Sequence, residues 1–232
     1  MKRIRGFYRG VRGLNENALI VFLKYPEHGK IKTRLAADLE NDVVYEIYKC
    51  FLADIAVTTR QVRARTILVH LGPEQATFGD FPDVPCLRQR GDDIGERMFF
   101  ALKDTFSRGF ERCVLIGSDS PDLPRDIINA AFDLLDATDV VLGPSTDGGY
   151  YLIGCNAKTI CRSIFADISW STANVFSETQ NRIKKAGLKA ALLDQWPDID
   201  NIDDLKNFYM RNRDRRSKVV QYLDSIDFLH KM

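Results

Sequence analysis

Four groups of residues in this 232-residue chain have the types and spacing to handle phosphate, a metal ion and a sugar or ribose. The first is Lys24-Tyr-Pro-Glu-His-Gly29-Lys30-Ile-Lys32-Thr-Arg34-Leu35, which gathers Lys24, Lys30, Lys32 and Arg34 around one glycine just ahead of a helix. Cations and backbone N–H groups at a helix start are a phosphate-binding combination. The Gly-x-x-x-x-Gly-Lys-[Ser/Thr] order of a P-loop is absent, and a solvated basic turn explains the loop equally well when it is taken alone.

The second group is Gly117-Ser118-Asp119-Ser-Pro-Asp122-Leu-Pro124. It follows an apolar strand, so Asp119 stands at the strand's carboxyl end with Asp122 three residues on. Magnesium takes one or two protein carboxylates and completes its octahedron with water and substrate oxygens, which such a pair suits. The structural alternative makes Ser120 or Asp122 a helix cap, with Pro124 near the first turn; it covers Asp122 but leaves Asp119 unexplained.

In the third group, Gly143-Pro-Ser-Thr-Asp147-Gly148-Gly149-Tyr150-Tyr151, an acid is joined to two glycines that permit close approach of a sugar. Asp147-Gly148 is also a strong hairpin-turn dipeptide. In the fourth, Trp196-Pro-Asp198-Ile-Asp200-Asn201, the extended alternation puts Asp198 and Asp200 on one side, where the pair can chelate a cation. Asp203 and Asp204 have a structural explanation at the start of a helix.

These groups converge only if the chain is an open α/β sheet, whose ligands bind at the carboxyl ends of the strands. The apolar pattern predicts that arrangement. Strands are expected at 18–23, 66–71, 112–116, 139–142 and near 188–193, and helices around 42–59, 94–107, 127–135 and 174–186, with a helical tail from 203. Val43, Val44, Ile47, Tyr48, Phe51, Leu52 and Ile55 recur at helical spacing and are read as one core face. Tyr150–Ile153 is expected as a small antiparallel excursion. The predicted fold is a Rossmann-like three-layer αβα sandwich around a mostly parallel sheet. Residues 18–232 would form a single domain, preceded by a mobile basic tail over 1–17 that carries Lys2, Arg3, Arg5, Arg9 and Arg12.

Composition narrows the partners. The 33 basic and 32 acidic residues nearly cancel, which argues against non-specific nucleic-acid binding. Ala18–Leu23 is too short for a membrane span, and no cleavage-site pattern follows it, so a cytoplasmic protein is expected. The five cysteines lack Cys-x-x-Cys spacing and are expected as buried reduced thiols. His28, His70 and His230 show no ligand spacing, and no Gly-x-Ser-x-Gly elbow suggests a serine hydrolase.

The ordered motifs Gly29-Lys-Ile-Lys-Thr-Arg-Leu35, Gly91-Asp-Asp-Ile-Gly-Glu-Arg-Met98, Gly117-Ser-Asp-Ser-Pro-Asp-Leu123, Gly143-Pro-Ser-Thr-Asp-Gly-Gly-Tyr-Tyr151, Trp170-Ser-Thr172 and Asp198-Ile-Asp-Asn201 resemble the glycosyltransferase-A-type, or nucleotide-diphospho-sugar transferase, superfamily. Within it the chain is most similar to the radical-SAM/selenodomain-associated transferase 1 group, itself related to 2-phospho-lactate guanylyltransferase. The resemblance runs from about Ala18 to Leu205. One departure is the first loop, which has a single glycine and more lysine than the Gly-x-Gly-Thr-Arg type of the sugar nucleotidyltransferases.

The resemblance implies that Asp119 is a metal aspartate and that Asp198 and Asp200 form a second acidic site, with Mg2+ or Mn2+ as the ion. Lys24, Gly29, Lys30, Lys32, Arg34 and Ser118 would hold nucleotide or phosphate, and Gly95 and Arg97 would line base and ribose. Asp122, Asp147, Gly148, Gly149, Trp170 and Thr172 would face the acceptor or sugar, with Lys32, Asp119 and Asp147 catalytic. The leading expectation is nucleotidyl transfer from a nucleoside triphosphate to a small phosphorylated or sugar-like acceptor. The alternatives are glycosyl transfer from a nucleotide sugar and a non-catalytic nucleotide-binding module. The partners expected are a nucleotide and a small molecule, with neither nucleic acid nor membrane, and homo-oligomerisation is left open.

Overall fold

The computed structural model of the protein describes residues 16–229. The apolar run after the basic segment becomes β1 (Asn17–Lys24), and the amphipathic stretch beyond it becomes α1 (Asn41–Thr59). Most of the expected basic tail lies outside the described residues, and Asn17 is already part of β1.

The alternation continues with β2 (Arg65–Leu71), β3 (Cys86–Arg88), α2 (Ile94–Phe106), β4 (Arg112–Ile116), α3 (Arg125–Leu134) and β5 (Val140–Pro144). Then come β6 (Tyr150–Asn156), α4 (Val175–Lys185), β7 (Ala190–Leu192), α5 (Ile202–Asn212) and α6 (Lys218–Ser225).

The seven strands form one sheet in the order β3-β2-β1-β4-β6-β5-β7. Neighbours pair in parallel except at β6, which is antiparallel to both β4 and β5. A short connection forces that exception, because a parallel neighbour needs a long crossover whereas a tight turn returns the chain antiparallel. The turn is 145–149, where Gly148 has φ 91°. The expected excursion is therefore a seven-residue central strand.

Successive β1 side chains go to opposite faces. Leu19, Val21 and Leu23 pack with Val44, Ile47 and Phe51 of α1, while Ala18 and Ile20 pack with Met98 and Leu102 of α2. The first face is completed by α3, α5 and α6, and the second by α4. This is the three-layer arrangement the pattern predicts. Burying each large apolar side chain stabilises it by about 1.5–3 kcal/mol.

The cysteines are all free thiols, but they are not uniformly buried. Cys113 and Cys155 are inside, Cys50 and Cys161 are half-buried, and Cys86 is exposed because β3 is the outermost strand.

β1 has β2 on one side and β4 on the other, so chain connections leave it in opposite directions and a crevice opens at its carboxyl end. No helix among the described residues is long and apolar enough to cross a membrane.

Candidate active site

A cleft of about 270 Å³ occupies that crevice. Its lining combines the apolar Phe22, Leu71 and Ile94 with the charged Lys32, Arg34, Asp119 and Asp200. Lys24, Arg97 and Ser118 also line it, whereas Gly29 and Lys30 do not. Lys30 instead pairs with Glu27 at 2.5 Å in solvent.

Lys32 is the inward-turned cation of the loop. Its backbone has φ 45°, a left-handed conformation that costs a non-glycine residue on the order of 1 kcal/mol. Its ammonium lies 2.5 Å from Asp119 Oδ1, 2.5 Å from the Ile199 carbonyl and 3.3 Å from Asp200 Oδ1. Burial acts to lower its pKa, but the charges of Asp119 and Asp200 outweigh that and raise it above the ordinary lysine value. Arg34 reaches the other Asp200 oxygen at 3.2 Å.

The Trp196–Asp200 segment is fixed from both sides. Ile199 N–H donates to the Asp119 carbonyl at 2.9 Å, Ser120 Oγ donates to the Pro197 carbonyl at 3.1 Å, and Trp196 N–H donates to the Pro144 carbonyl at 3.1 Å. Beyond Asp200 a capping box starts α5: Asn201 accepts from the N–H of Asp203 and Asp204, while the Asp204 carboxylate accepts from the N–H of Asp200 and Asn201. The helix-start explanation of Asp203 and Asp204 holds, and it also explains why Asp200 is held in place.

Asp147, Asp198 and Asp200 can each bring one oxygen to within 4.8 Å of the others. Asp198 accepts from Ser145 Oγ at 2.9 Å. Burial first, then the charges of Asp147 and Asp200, hold the Asp198 carboxyl above the usual aspartate value, against the Ser145 hydrogen bond. Asp147 also closes its own turn by accepting from Gly149 N–H at 2.8 Å, so turn and cluster are compatible readings. Asp200 is common to the cleft and the cluster, whereas Asp119 belongs to the cleft.

Asp122 departs from expectation. It does not cap α3, whose N-cap is Pro124 with no side-chain bond, and Ser120 does not cap it either. The Asp122 side chain is 5% exposed, and its carboxylate accepts from Trp196 Nε1, from Arg211 Nε and Nη2, and from Asn212 Nδ2. It is a clamp joining the β4 loop to α5, which leaves no oxygen facing an acceptor.

Gly95 is a packing glycine, since a Cβ there would lie 2.5 Å from the Trp170 ring and 2.7 Å from the Phe165 carbonyl. Gly148 packs against the Ala173 backbone, which brings the Asp147–Gly149 turn to the 170–174 segment. Thr172 Oγ1 donates to the Ser169 carbonyl within that segment. Neither Trp170 nor Thr172 lines the cleft.

Tyr48 and Gln89 are among the lining residues that escaped the sequence reading. Tyr48, read as core, is buried, yet its hydroxyl donates to the Lys24 carbonyl at 3.0 Å and lies 3.1 Å from Ser118 Oγ. Burial pushes this phenol well above the ordinary tyrosine range. Gln89 follows β3 and donates from Nε2 to the Leu23 and Val69 carbonyls at 3.1 and 3.2 Å, tying together the ends of β1 and β2.

The sequence model of the family described as "Uncharacterized protein conserved in bacteria (DUF2064)" matches residues 53–172, just over half of the chain. The chain belongs to the DUF2064 family. No curated protein matches it. Among solved structures, this DUF2064 protein is similar to one from Desulfovibrio desulfuricans, provisionally described as a nucleotide-diphospho-sugar transferase, with 34% identity over 93% of this chain and 96% of that one and a TM-score of 0.87. The inositol-1-phosphate CTP transferase of T. maritima is 14% identical over 92% of this chain and 98% of that one, with a TM-score of 0.56. A Mycobacterium tuberculosis protein in complex with manganese is 15% identical over 83% and 97% of the two chains, with a TM-score of 0.50. The fold is that of the nucleotide-diphospho-sugar transferases.

Proposed function

We propose that this DUF2064 protein is a nucleotide-using transferase that moves a nucleotidyl group from a nucleoside triphosphate to a small phosphorylated or sugar-like acceptor. The observation that carries the reading is the lining of one cleft. Apolar side chains suited to a base, Phe22, Leu71 and Ile94, line the same cleft in which Lys32, Arg34, Asp119 and Asp200 meet. The similarity to a solved CTP transferase whose acceptor is a phosphorylated small molecule supports it at the level of fold. The narrower kinship with the radical-SAM/selenodomain-associated transferase 1 group is part of the same proposal.

A hard divalent ion, Mg2+ or Mn2+, fits the residues present. The donors are carboxylate oxygens, and three of them can converge within 4.8 Å. Those three are Asp147, Asp198 and Asp200; Asp200 would hold the ion, shared with Asp198 and Asp147 on the cluster side and with Asp119 on the cleft side. When bound, the ion neutralises charge developing on the phosphoryl oxygens. Arg34 and Lys32 bind and orient the phosphate chain, and Phe22, Leu71 and Ile94 cover the base and exclude water. An acceptor oxygen forms the new bond to the α-phosphorus as the bond to pyrophosphate breaks, and positioning in line accounts for much of the acceleration.

Glycosyl transfer is the second reading, favoured by the description of the 34%-identical relative. There Asp147 would orient the sugar acceptor or take its proton. Phosphorus NMR of the protein with magnesium, each donor and a pool of phosphorylated small molecules separates the two. Pyrophosphate formed from one triphosphate is expected; a nucleoside diphosphate released from a nucleotide sugar would establish the second reading instead.

A further inference from the structure

The cations of the first loop differ in one respect that bears on how the site fills. The side chains of Lys30 and Arg34 are each 70% exposed, while that of Lys32 is 6% exposed. The left-handed backbone at Lys32 belongs to a residue with no glycine-like freedom, the kind of local strain that persists where surrounding contacts impose it.

An ammonium group has three protons to donate. Those of Lys32 meet three acceptors, Asp119 Oδ1, the Ile199 carbonyl and Asp200 Oδ1. None is left for a phosphate oxygen. Asp119 and Asp200 are also the carboxylates that the cleft offers to a divalent ion, so ammonium and metal compete for the same oxygens.

We propose that Lys32 is the resident cation of the Asp119–Asp200 pair, and that phosphate and metal enter by exchanging partners with it. Phosphate oxygens take over the ammonium, and the vacated carboxylates take the ion. Triphosphate and metal therefore bind cooperatively, and free metal binds poorly by itself. This inference rests on the reading of the cleft as a phosphate and metal site, but its test needs neither nucleotide nor acceptor. Failure of the exchange leaves transfer standing, and failure to find transfer leaves the exchange measurable.

The experiment is titration of the full chain with manganese(II) alone, reading free ion by electron paramagnetic resonance, for the wild type, Lys32→Met and Lys32→Arg. With the ammonium removed, Lys32→Met is expected to bind manganese at least about tenfold more tightly, within the usual range of coupling between ligands. Lys32→Arg keeps the charge and is expected to bind as weakly as the wild type. Equal or weaker binding by Lys32→Met, or tight binding by Lys32→Arg, overturns the proposal. Should Lys32→Met not fold, the wild type decides: with manganese raised until the free-ion signal shows the site filled, trace acetylation of Lys32, followed by mass spectrometry, is expected to accelerate as the side chain is released. An unchanged rate overturns the proposal.

Discussion

Over β2, β1 and β4 the carboxyl edge of the sheet is a cleft lined by apolar side chains and by a cationic loop, whereas over β5 and β7 the same edge carries Asp147 and Asp198 with no ion pair to either among the described residues. The carboxylates at the seam, Asp119 and Asp200, have Lys32 and Arg34 as counter-charge. Asp122, close to Asp119 in sequence, is enclosed by three side chains from the carboxyl-terminal part of the chain. Aspartates that look alike in sequence are thus divided by their partners: one is a structural clamp, two are balanced by cations, and two are left crowded. Crowded carboxylates at a strand edge are the costly arrangement, and they are where a cation gains most.

The sharpest break in that contrast comes from comparing Asp119→Asn with Asp122→Ala. Asp119→Asn is expected to lower transfer by about 10²–10³-fold, the scale of losing one electrostatic contributor in a preorganised site, with a smaller loss in urea than Asp122→Ala because Asp200 and the Ile199 carbonyl still hold the Lys32 ammonium. Asp122→Ala should do the reverse at first order. Removing a nearly buried carboxylate leaves the donors of Trp196, Arg211 and Asn212 unpaired, and urea unfolding should show a loss of about 3 kcal/mol. If Asp122→Ala were as stable as the wild type, the clamp would be refuted.

Gly95→Ala separates packing from ligand contact in the same way. Its new methyl meets the Trp170 ring and a backbone carbonyl, so a stability loss of about 1–3 kcal/mol is expected. Nucleotide affinity measured on the remaining folded protein should be nearly unchanged.

A smaller effect, of opposite sign, is expected at Asp198. Its folded pKa is raised, so the folded state takes the proton more readily than the unfolded chain. That contribution to stability is full below the unfolded value and is lost as pH rises through the folded one, which leaves the ionised group a cost at neutral pH. Asp198→Asn should therefore melt slightly higher than the wild type at neutral pH without metal, by less than about 1 kcal/mol after allowance for solvent screening. The two should converge on acidification, and manganese should stabilise the variant less.

At the bottom of the scale is the exposed Lys49–Glu46 pair on α1, for which Lys49→Ala is expected to change stability by less than about 0.5 kcal/mol in the same urea assay.

Most of the fold was legible because long apolar runs and helical stripes carry their own period. β1, β2, β4 and α1 fall within a residue or so of where the pattern puts them. β3 was not legible: three residues, none of them buried, have too little alternation to mark a strand. The hairpin at Asp147-Gly148 was, but nothing local says that β6 inserts between β4 and β5.

In the site, Asp198 and Asp200 were readable from their alternation. The part Asp122 plays was hidden because it depends on donors 74 to 90 positions away. Tyr48 was obscured by being correctly read as core, since a buried stripe does not reveal what a phenolic hydroxyl touches. The inward turn of Lys32 has no sequence mark at all, because φ 45° at a lysine is imposed by its partners.

The central claim is that one cleft takes a nucleoside triphosphate with a divalent ion, and the most direct test is the melting temperature of the full chain with magnesium against a panel of triphosphates and nucleotide sugars. A ligand at about 100 times its Kd stabilises the fold by about 2.7 kcal/mol, or roughly 5–10 °C for a chain of this size. We predict a shift of that order with at least one triphosphate, dependent on magnesium and lost in Asp119→Asn. A shift with no triphosphate, or one that survives unchanged in Asp119→Asn, would contradict the account.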